Sequence, residues 1–246
     1  MIKELKRAII TTSWDDGHPL DFKLAKLLSA NKIPGTFYIP LSNDENEVMS
    51  SENIKELSKN FEIGGHTLNH KILTLLSEDE MEKEIPQGKE NLEKICGEVQ
   101  SFAYPRGQYN KKVINAVKKA EFLGARTGEL LHTKMRNNFE LHTTVQSVNR
   151  VFASKGKQIL KSDSKSLSFL LITSGTIFKT WDFIAKKTLD YVLEHGGIWH
   201  LWGHSWEIDM NNDWKRLSDV LEYVKTKGSQ FEAEFLTNGQ IFKKQL

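Results

Sequence analysis

The sequence is short of cysteine, of net charge and of long hydrophobic runs, and each shortage excludes a class of protein. Its one cysteine, Cys96, excludes an intramolecular disulfide framework and a cysteine-rich zinc site. Because Cys96 lies in an amphipathic segment, we expect it to be a small buried or half-buried apolar side chain. The 34 Lys and Arg residues against 32 Asp and Glu leave a net charge of +2, which gives no long-range field that would favour nucleic acid or an anionic membrane as a partner.

No apolar segment approaches the roughly 20 residues that a membrane-spanning helix needs. The apolar stretch at residues 8–10 follows a basic start but is shorter than the roughly 7–15 residues of a signal-peptide core. We therefore expect no membrane span and a cytoplasmic location, although a chain trimmed of a leader would have the same sequence. Oligomeric state is open at this point.

The length of 246 residues fits one large domain over residues 1–246, since α/β barrels commonly reach roughly 200–250 residues as one unit. Apolar β-branched runs alternate with helical patterns, beginning with a strand at residues 8–13, a helix at 19–30 and a strand at 35–40. This alternation predicts repeated β-α units around a mainly parallel sheet.

Two later segments fit the alternation less well. Ser77 and Glu80 form a capping-box pattern that opens a helix through Ile95, and Pro86 is expected to kink or split this helix. Between about residues 145 and 177 the pattern weakens, and the polar stretch at 161–166 predicts an exposed loop.

Four short segments contain the residues that could carry chemistry. They are Ser13-Trp14-Asp15-Asp16-Gly17, Gly65-His66-Thr67-Leu68-Asn69-His70, Ala103-Tyr104-Pro105-Arg106-Gly107 and Gly203-His204-Ser205-Trp206-Glu207. Together they supply two adjacent carboxylates, a histidine pair, a glycine-backed turn and a late histidine. A metal-dependent hydrolase needs this combination, whereas each segment alone also describes ordinary turns or helices.

The first two segments form a possible metal site. Asp15 and Asp16 follow a strand at the carboxyl edge of the predicted sheet, where β-α barrels gather their catalytic groups. His66 and His70 are four residues apart, so both imidazoles can reach one cation. One carboxylate and two histidines leave positions open for water, as in catalytic zinc sites. The alternatives are that one Asp caps the helix near Pro19 and that the histidine pair is structural.

These segments resemble the motifs of the polysaccharide deacetylase family, the metal-dependent carbohydrate esterases that include chitooligosaccharide and peptidoglycan N-deacetylases. The resemblance is carried by residues 13–17, 34–38, 65–70, 102–107 and 204–209 and runs from about Ile9 to Thr237. It implies a distorted or incomplete (β/α) barrel of the polysaccharide deacetylase type.

Transferred residue by residue, the resemblance makes Asp16, His66 and His70 the ligands of a divalent metal, most simply zinc. It makes Asp15 the catalytic base and His204 the acid that protonates the departing amine. The chemistry agrees, because bound zinc lowers the pKa of its water to roughly 7 and an adjacent carboxylate can take the proton. The imidazole of His204 has an unperturbed pKa near 6.5, which small environmental shifts can tune.

The third segment departs from the family pattern. Ala103 stands where the family often has an arginine that contacts the catalytic base, and Arg126 is the candidate substitute, the alternative being a surface arginine. Arg106 stands where a tyrosine is common, so its backbone N–H would be the oxyanion donor, grouped with Tyr104 at the substrate. The Arg106 side chain could instead meet an acidic group on the substrate.

The late segment leaves two choices open. His200 competes with His204 for the acid role, and the alternative for His200 is a hydrogen-bonded residue inside a strand. Trp202 and Trp206 could stack on a sugar face or belong to the core.

The sequence therefore predicts a metal-dependent hydrolase that removes N-acetyl groups from an amino sugar or oligosaccharide. One alternative keeps the fold but cleaves another non-peptide C–N bond. The other is an inactive carbohydrate-binding homologue, which the changes at Ala103 and Arg106 keep open.

Overall fold

The structure is a computed structural model that describes residues 7–149 and 152–244. Within these ranges the strands are β1 (Ala8–Asp15), β2 (Thr36–Ile39), β3 (Glu62–Gly65), β4 (Ser101–Ala103), β5 (Gly124–Arg126), β6 (Val145–Gln146), β7 (Gly197–Gly203) and β8 (Glu234–Phe235). The helices are α1 (Asp21–Asn31), α2 (Ser51–Leu57), α3 (Glu78–Cys96), α4 (Lys111–Lys119), α5 (Phe152–Lys161), α6 (Lys165–Thr173), α7 (Trp181–His195), α8 (Ser205–Met210), α9 (Trp214–Gln230) and α10 (Asn238–Lys244).

The strands form one parallel sheet in the order β5-β4-β3-β2-β1-β7-β6, and β8 pairs with the start of β1. Strand β1 is central and pairs with β7 over seven residues, from Ala8 opposite Gly197 to Trp14 opposite Gly203. The sheet curls into an incomplete barrel with helices around it, which confirms the predicted distorted (β/α) barrel.

Helix α9 packs against α1 and α7, and α7 packs against β1 and β7. Every residue of β1 is buried. A strand covered on both faces needs apolar or hydrogen-bonded side chains along its whole length. In β1, Ile10 and Trp14 fill the core, while Thr11 and Thr12 pair their hydroxyls with Asn238 and the Pro34 carbonyl. In the described ranges every helix is too short or too polar to cross a bilayer.

Of the predicted kink or split at Pro86, the split does not occur, because α3 runs as one element from Glu78 to Cys96. The Ser77–Glu80 capping box is present at its start, as predicted. Proline forfeits one helical hydrogen bond, but burial of Met81 and Ile85 on the inner face holds the helix together.

The predicted exposed loop at residues 161–166 is shorter than expected, because only residues 162–164 lie outside the helices. Helix α5 ends at Lys161, α6 starts at Lys165, and the short link between them is fastened to the body of the protein. Buried Ser162 donates to the Leu131 carbonyl, and Asp163 accepts the N–H groups of residues 133 and 134. Long-range capping of this kind has no local sequence signal. Residues 150 and 151 of the weakly patterned segment lie outside the described residues.

Candidate active site and metal centre

The carboxyl edge of the sheet brings together residues from distant parts of the sequence. Asp15 ends β1, His66 follows β3, Tyr104 follows β4, Arg126 ends β5 and His204 follows β7. Because all these strands are parallel, their last residues meet at one edge. The edge opens into a cleft of about 450 Å³. A groove of about 600 Å³ between α3 and α4 is larger, but its lining consists mainly of lysine, glutamate and alanine residues without converging ligand atoms.

Asp16, His66 and His70 offer three ligand atoms that all lie within 4.8 Å of one another. The Asp16 Oδ1 atom is 3.2 Å from His70 Nε2 and 3.9 Å from His66 Nε2. Although buried, this carboxylate oxygen has no hydrogen-bond partner. A buried oxygen without a donor, facing two imidazole nitrogens, fits a divalent cation.

His66 is oriented by the backbone of β4. Its Nδ1–H donates to the Ala103 carbonyl at 2.8 Å, which leaves Nε2 free to face the other two ligand atoms. Burial lowers the pKa of His66 to about 4, so the ring is neutral at neutral pH, as a metal ligand must be. The family's arginine is missing at Ala103, but the main chain there orients the candidate ligand His66.

Helix α3 braces the loop that carries both histidines. The Glu84 carboxylate accepts the backbone and side-chain N–H groups of Asn69, and its carbonyl accepts Leu68 N–H. Gly88 lies so close that an added Cβ would be 2.8 Å from the Thr67 carbonyl carbon. The sequence prediction missed Glu84 and Gly88, because a helix pattern does not indicate what the helix packs against.

Asp15 and Arg126 form a buried ion pair next to the three ligand atoms. Burial alone would raise the pKa of Asp15, but the charges of Arg126 and the two nearby histidines, with the Arg126 hydrogen bond, together offset burial, and the pKa is lowered. The Arg126 guanidinium also lies 4.7 Å from the centre of the Trp202 ring. Asp15 is therefore ionised and held in one orientation.

His204 lines the same cleft, with Nε2 4.0 Å from Asp16 Oδ2, and it is hydrogen-bonded to Glu207, with Nδ1 2.5 Å from Oε2. Burial would lower the pKa of His204, but this bond and the charges of Asp16 and Asp15 raise it above its usual value. His204 therefore keeps its proton to a higher pH than a free imidazole does. The sequence signal for Glu207 was its position one helical turn after His204, but the prediction gave it no role.

His200 is placed differently from His204. It is fully buried within β7 and shares a 2.8 Å hydrogen bond with Ser13 Oγ. Burial and the charge of Arg126 lower the pKa of His200 to about 3, so it stays neutral. The cleft lining does not include it.

Of the three aromatic residues that the sequence placed at the substrate, two line the cleft and one does not. Trp202 and Trp206 line the cleft, and the Trp206 indole N–H donates to Asp16 Oδ2 at 2.9 Å. The sequence prediction did not anticipate this hydrogen bond between Trp206 and the candidate ligand Asp16. Tyr104 is buried, donates its hydroxyl to the Phe139 carbonyl and does not line the cleft.

Four non-glycine residues at this edge have backbones in the left-handed region. Their φ angles are 80° for Asp16, 67° for Thr67, 53° for His70 and 57° for Arg106. Such conformations cost energy and persist where the surrounding structure enforces them, often at functional sites. Here they turn the two candidate ligands, Asp16 and His70, toward one point.

Comparisons with known proteins agree with this geometry. The sequence profile of the polysaccharide deacetylase family matches residues 3–125, half of the chain. A peptidoglycan-N-acetylglucosamine deacetylase of Bacillus cereus is 31% identical over 117 residues, which cover 46% of this chain and 54% of that protein. The chain thus matches about half the length of this curated relative.

Two solved structures share the fold over nearly the whole chain. A Mycobacterium smegmatis protein assigned as a polysaccharide deacetylase has a TM-score of 0.68 at 15% identity and covers 100% of this chain and 92% of its own. A family 4 acetyl xylan esterase of Clostridium thermocellum, solved in complex with a cobalt ion, has a TM-score of 0.59 at 15% identity and covers 96% and 91%. Fold and sequence profile lead to one conclusion: the chain belongs to the polysaccharide deacetylase family.

Proposed function

We propose that this chain is a metal-dependent hydrolase that removes N-acetyl groups from an amino sugar or its oligosaccharides, with residues 1–246 as one catalytic domain. The observation that carries the proposal is the convergence of Asp16, His66 and His70 beside Asp15 and His204 in one cleft. Family membership supports carbohydrate deacetylation, and the Bacillus cereus relative is named for peptidoglycan N-acetylglucosamine.

Asp16, His66 and His70 would hold the ion, and one carboxylate with two imidazoles suits zinc. When bound, a divalent ion lowers the pKa of a water molecule and polarises the acetyl carbonyl. The neutral state of His66 and the missing donor at Asp16 Oδ1 support this assignment.

Asp15 is proposed as the base that accepts the proton of the attacking water, because it is ionised and beside the ligand group. Arg126 is proposed as its positioning residue, since its charge-assisted hydrogen bond to Asp15 Oδ1 holds this buried carboxylate in place. The backbone N–H of Arg106 would donate to the oxyanion.

His204 is proposed as the acid that gives its proton to the departing amine. It lines the cleft and its pKa is raised, whereas His200 is buried in a strand and neutral, so we assign His200 no part in proton transfer. Trp202 and Trp206 would bound the sugar site.

Acetate release from N-acetylglucosamine oligomers, measured with zinc-loaded protein, tests the function. We expect turnover in the wild type and a loss of about 100-fold or more for Asp15→Asn, which keeps the shape of the side chain but removes the base. Metal content of the variant must match the wild type. A zinc-loaded wild type that binds these oligomers but releases no acetate from them or from acetylated relatives would contradict the proposal.

A further inference from the structure

Arg106 lies at the mouth of the cleft in an unusual backbone conformation. It follows Pro105 in a tight turn after β4, where Gly107 N–H bonds to the Tyr104 carbonyl. Its left-handed φ of 57° directs the chain so that the half-exposed guanidinium forms an ion pair with Glu45 across the opening. A strained arginine on a cleft wall calls for a reason beyond a surface contact.

Glu45 belongs to a segment that hydrogen bonds fix at both ends, with a further exposed ion pair beside Glu45. The Ser42 N–H bonds to the Leu68 carbonyl at 3.0 Å, and the Met49 N–H bonds to the Gly17 carbonyl at 2.9 Å. Between these anchors the Glu45 side chain is 53% exposed and reaches back to Arg106. The Arg106 hydrogen bond lowers the pKa of Glu45, which keeps it an anion.

The other acidic side chains of the cleft wall are already engaged. Asp15 pairs with Arg126, Asp16 faces the histidines, and Glu207 bonds to His204. Among the described residues that line the cleft, Arg106 alone carries a permanent positive charge. Its guanidinium therefore creates an anion-binding position that the other acidic wall residues do not occupy.

The exchange of Glu45 for another anion is energetically cheap. An exposed ion pair contributes about 0.2–1 kcal/mol, which corresponds to at most roughly fivefold in binding. A substrate carboxylate held by the rest of the sugar would form the same charge-assisted hydrogen bonds. A neutral sugar offers no such replacement and leaves Arg106 paired with Glu45.

We propose that Arg106 is a specificity-determining residue: it binds a carboxylate on the sugar, and Glu45 occupies that position in the free protein. The preferred substrate class is then an N-acetylated amino sugar that also carries a carboxylate. This inference rests on the proposed deacetylase function.

A matched set of sugars tests the preference through kcat/KM for acetate release. The probes are N-acetylmuramic acid, its methyl ester, which has the same skeleton without the charge, and N-acetylglucosamine 1-phosphate. We expect the wild type to prefer the acid over the ester by about tenfold. In Arg106→Gln the ratio should fall to near one, and in Glu45→Gln it should rise a few-fold because the internal competitor is gone. Arg136→Gln, which removes an exposed arginine paired with Glu140, should keep the wild-type ratio.

Equal ratios in the wild type and Arg106→Gln would overturn the proposal, and so would a preference for the phosphate over the carboxylate. If no sugar releases acetate, the proposed function fails, and equilibrium binding then decides the inference separately. Quenching of tryptophan fluorescence reports binding, because Trp202 and Trp206 line the cleft. Tighter binding of the acid than of the ester, lost in Arg106→Gln, would uphold it, and equal affinities would overturn it.

Discussion

At the scale of single residues, the site depends on protonation states that neighbouring groups set in opposite directions. His66 is buried, and its pKa falls to about 4 despite two nearby carboxylates. Burial would also lower the pKa of the half-buried His204, but the Glu207 hydrogen bond and nearby carboxylates raise it. These opposite shifts suit the proposed roles, in which His66 binds a cation and His204 donates a proton.

The variant Glu207→Gln tests whether Glu207 raises the pKa of His204. A general acid works only while protonated, so the rate falls as pH rises through the pKa of His204. Loss of the Glu207 charge lowers that pKa, and the alkaline limb of the kcat/KM profile should move to lower pH by about one unit. The exposed Glu222→Gln on α9 serves as the control and should leave the limb in place. An unmoved limb in Glu207→Gln would exclude His204 as the titrating acid.

At the scale of elements, helix α3 determines where the histidine loop sits. Its Glu84 ties down Leu68 and Asn69, while Gly88 allows the helix to touch the Thr67 backbone. Residues that orient metal ligands in this way affect affinity although they never touch the ion.

Gly88→Ala tests this bracing. The new Cβ would lie 2.8 Å from the Thr67 carbonyl carbon and 2.9 Å from Leu68 N, so the loop must move. We expect zinc affinity, measured by competition with a chelating dye, to fall by about tenfold. Gly156→Ala in α5 is the matched control, because its Cβ would meet nothing within 4 Å. That control should raise stability by up to about 1 kcal/mol and leave zinc affinity unchanged. An unaltered zinc affinity in Gly88→Ala would contradict the idea that contact with α3 positions the histidine loop.

The elements that the sequence predicts well are those with local signals. A few neighbouring residues are enough to predict the strand before Asp15, the capping box at Ser77 and each step of the β-α alternation. The contact between Asp15 and Arg126 joins residues 111 positions apart, and only the family comparison suggested that an arginine should be there. The anchoring of the link at residues 162–164 was not predicted for the same reason, since its partners lie about 30 residues away.

At the scale of the whole molecule, the candidate ligands connect separate parts of the sheet. Asp16 follows β1, whereas His66 and His70 follow β3, and β2 lies between these strands. An ion bound to all three would join two β-α units that are otherwise held by packing and strand pairing. Anything that binds only the folded state stabilises it by mass action.

Zinc at about 100 times its Kd should therefore stabilise the fold by about 2.7 kcal/mol. For a chain of this size, that free energy corresponds to a rise in Tm of roughly 5–10 °C. His66→Ala removes a ligand and should abolish the rise, whatever it does to the Tm without metal. His195→Ala removes an exposed histidine at the end of α7 and should keep the full rise. Differential scanning fluorimetry with and without zinc measures both. An equal rise in His66→Ala and the wild type would show that zinc stabilises the protein from another position, and the Asp16–His66–His70 site would then be wrong.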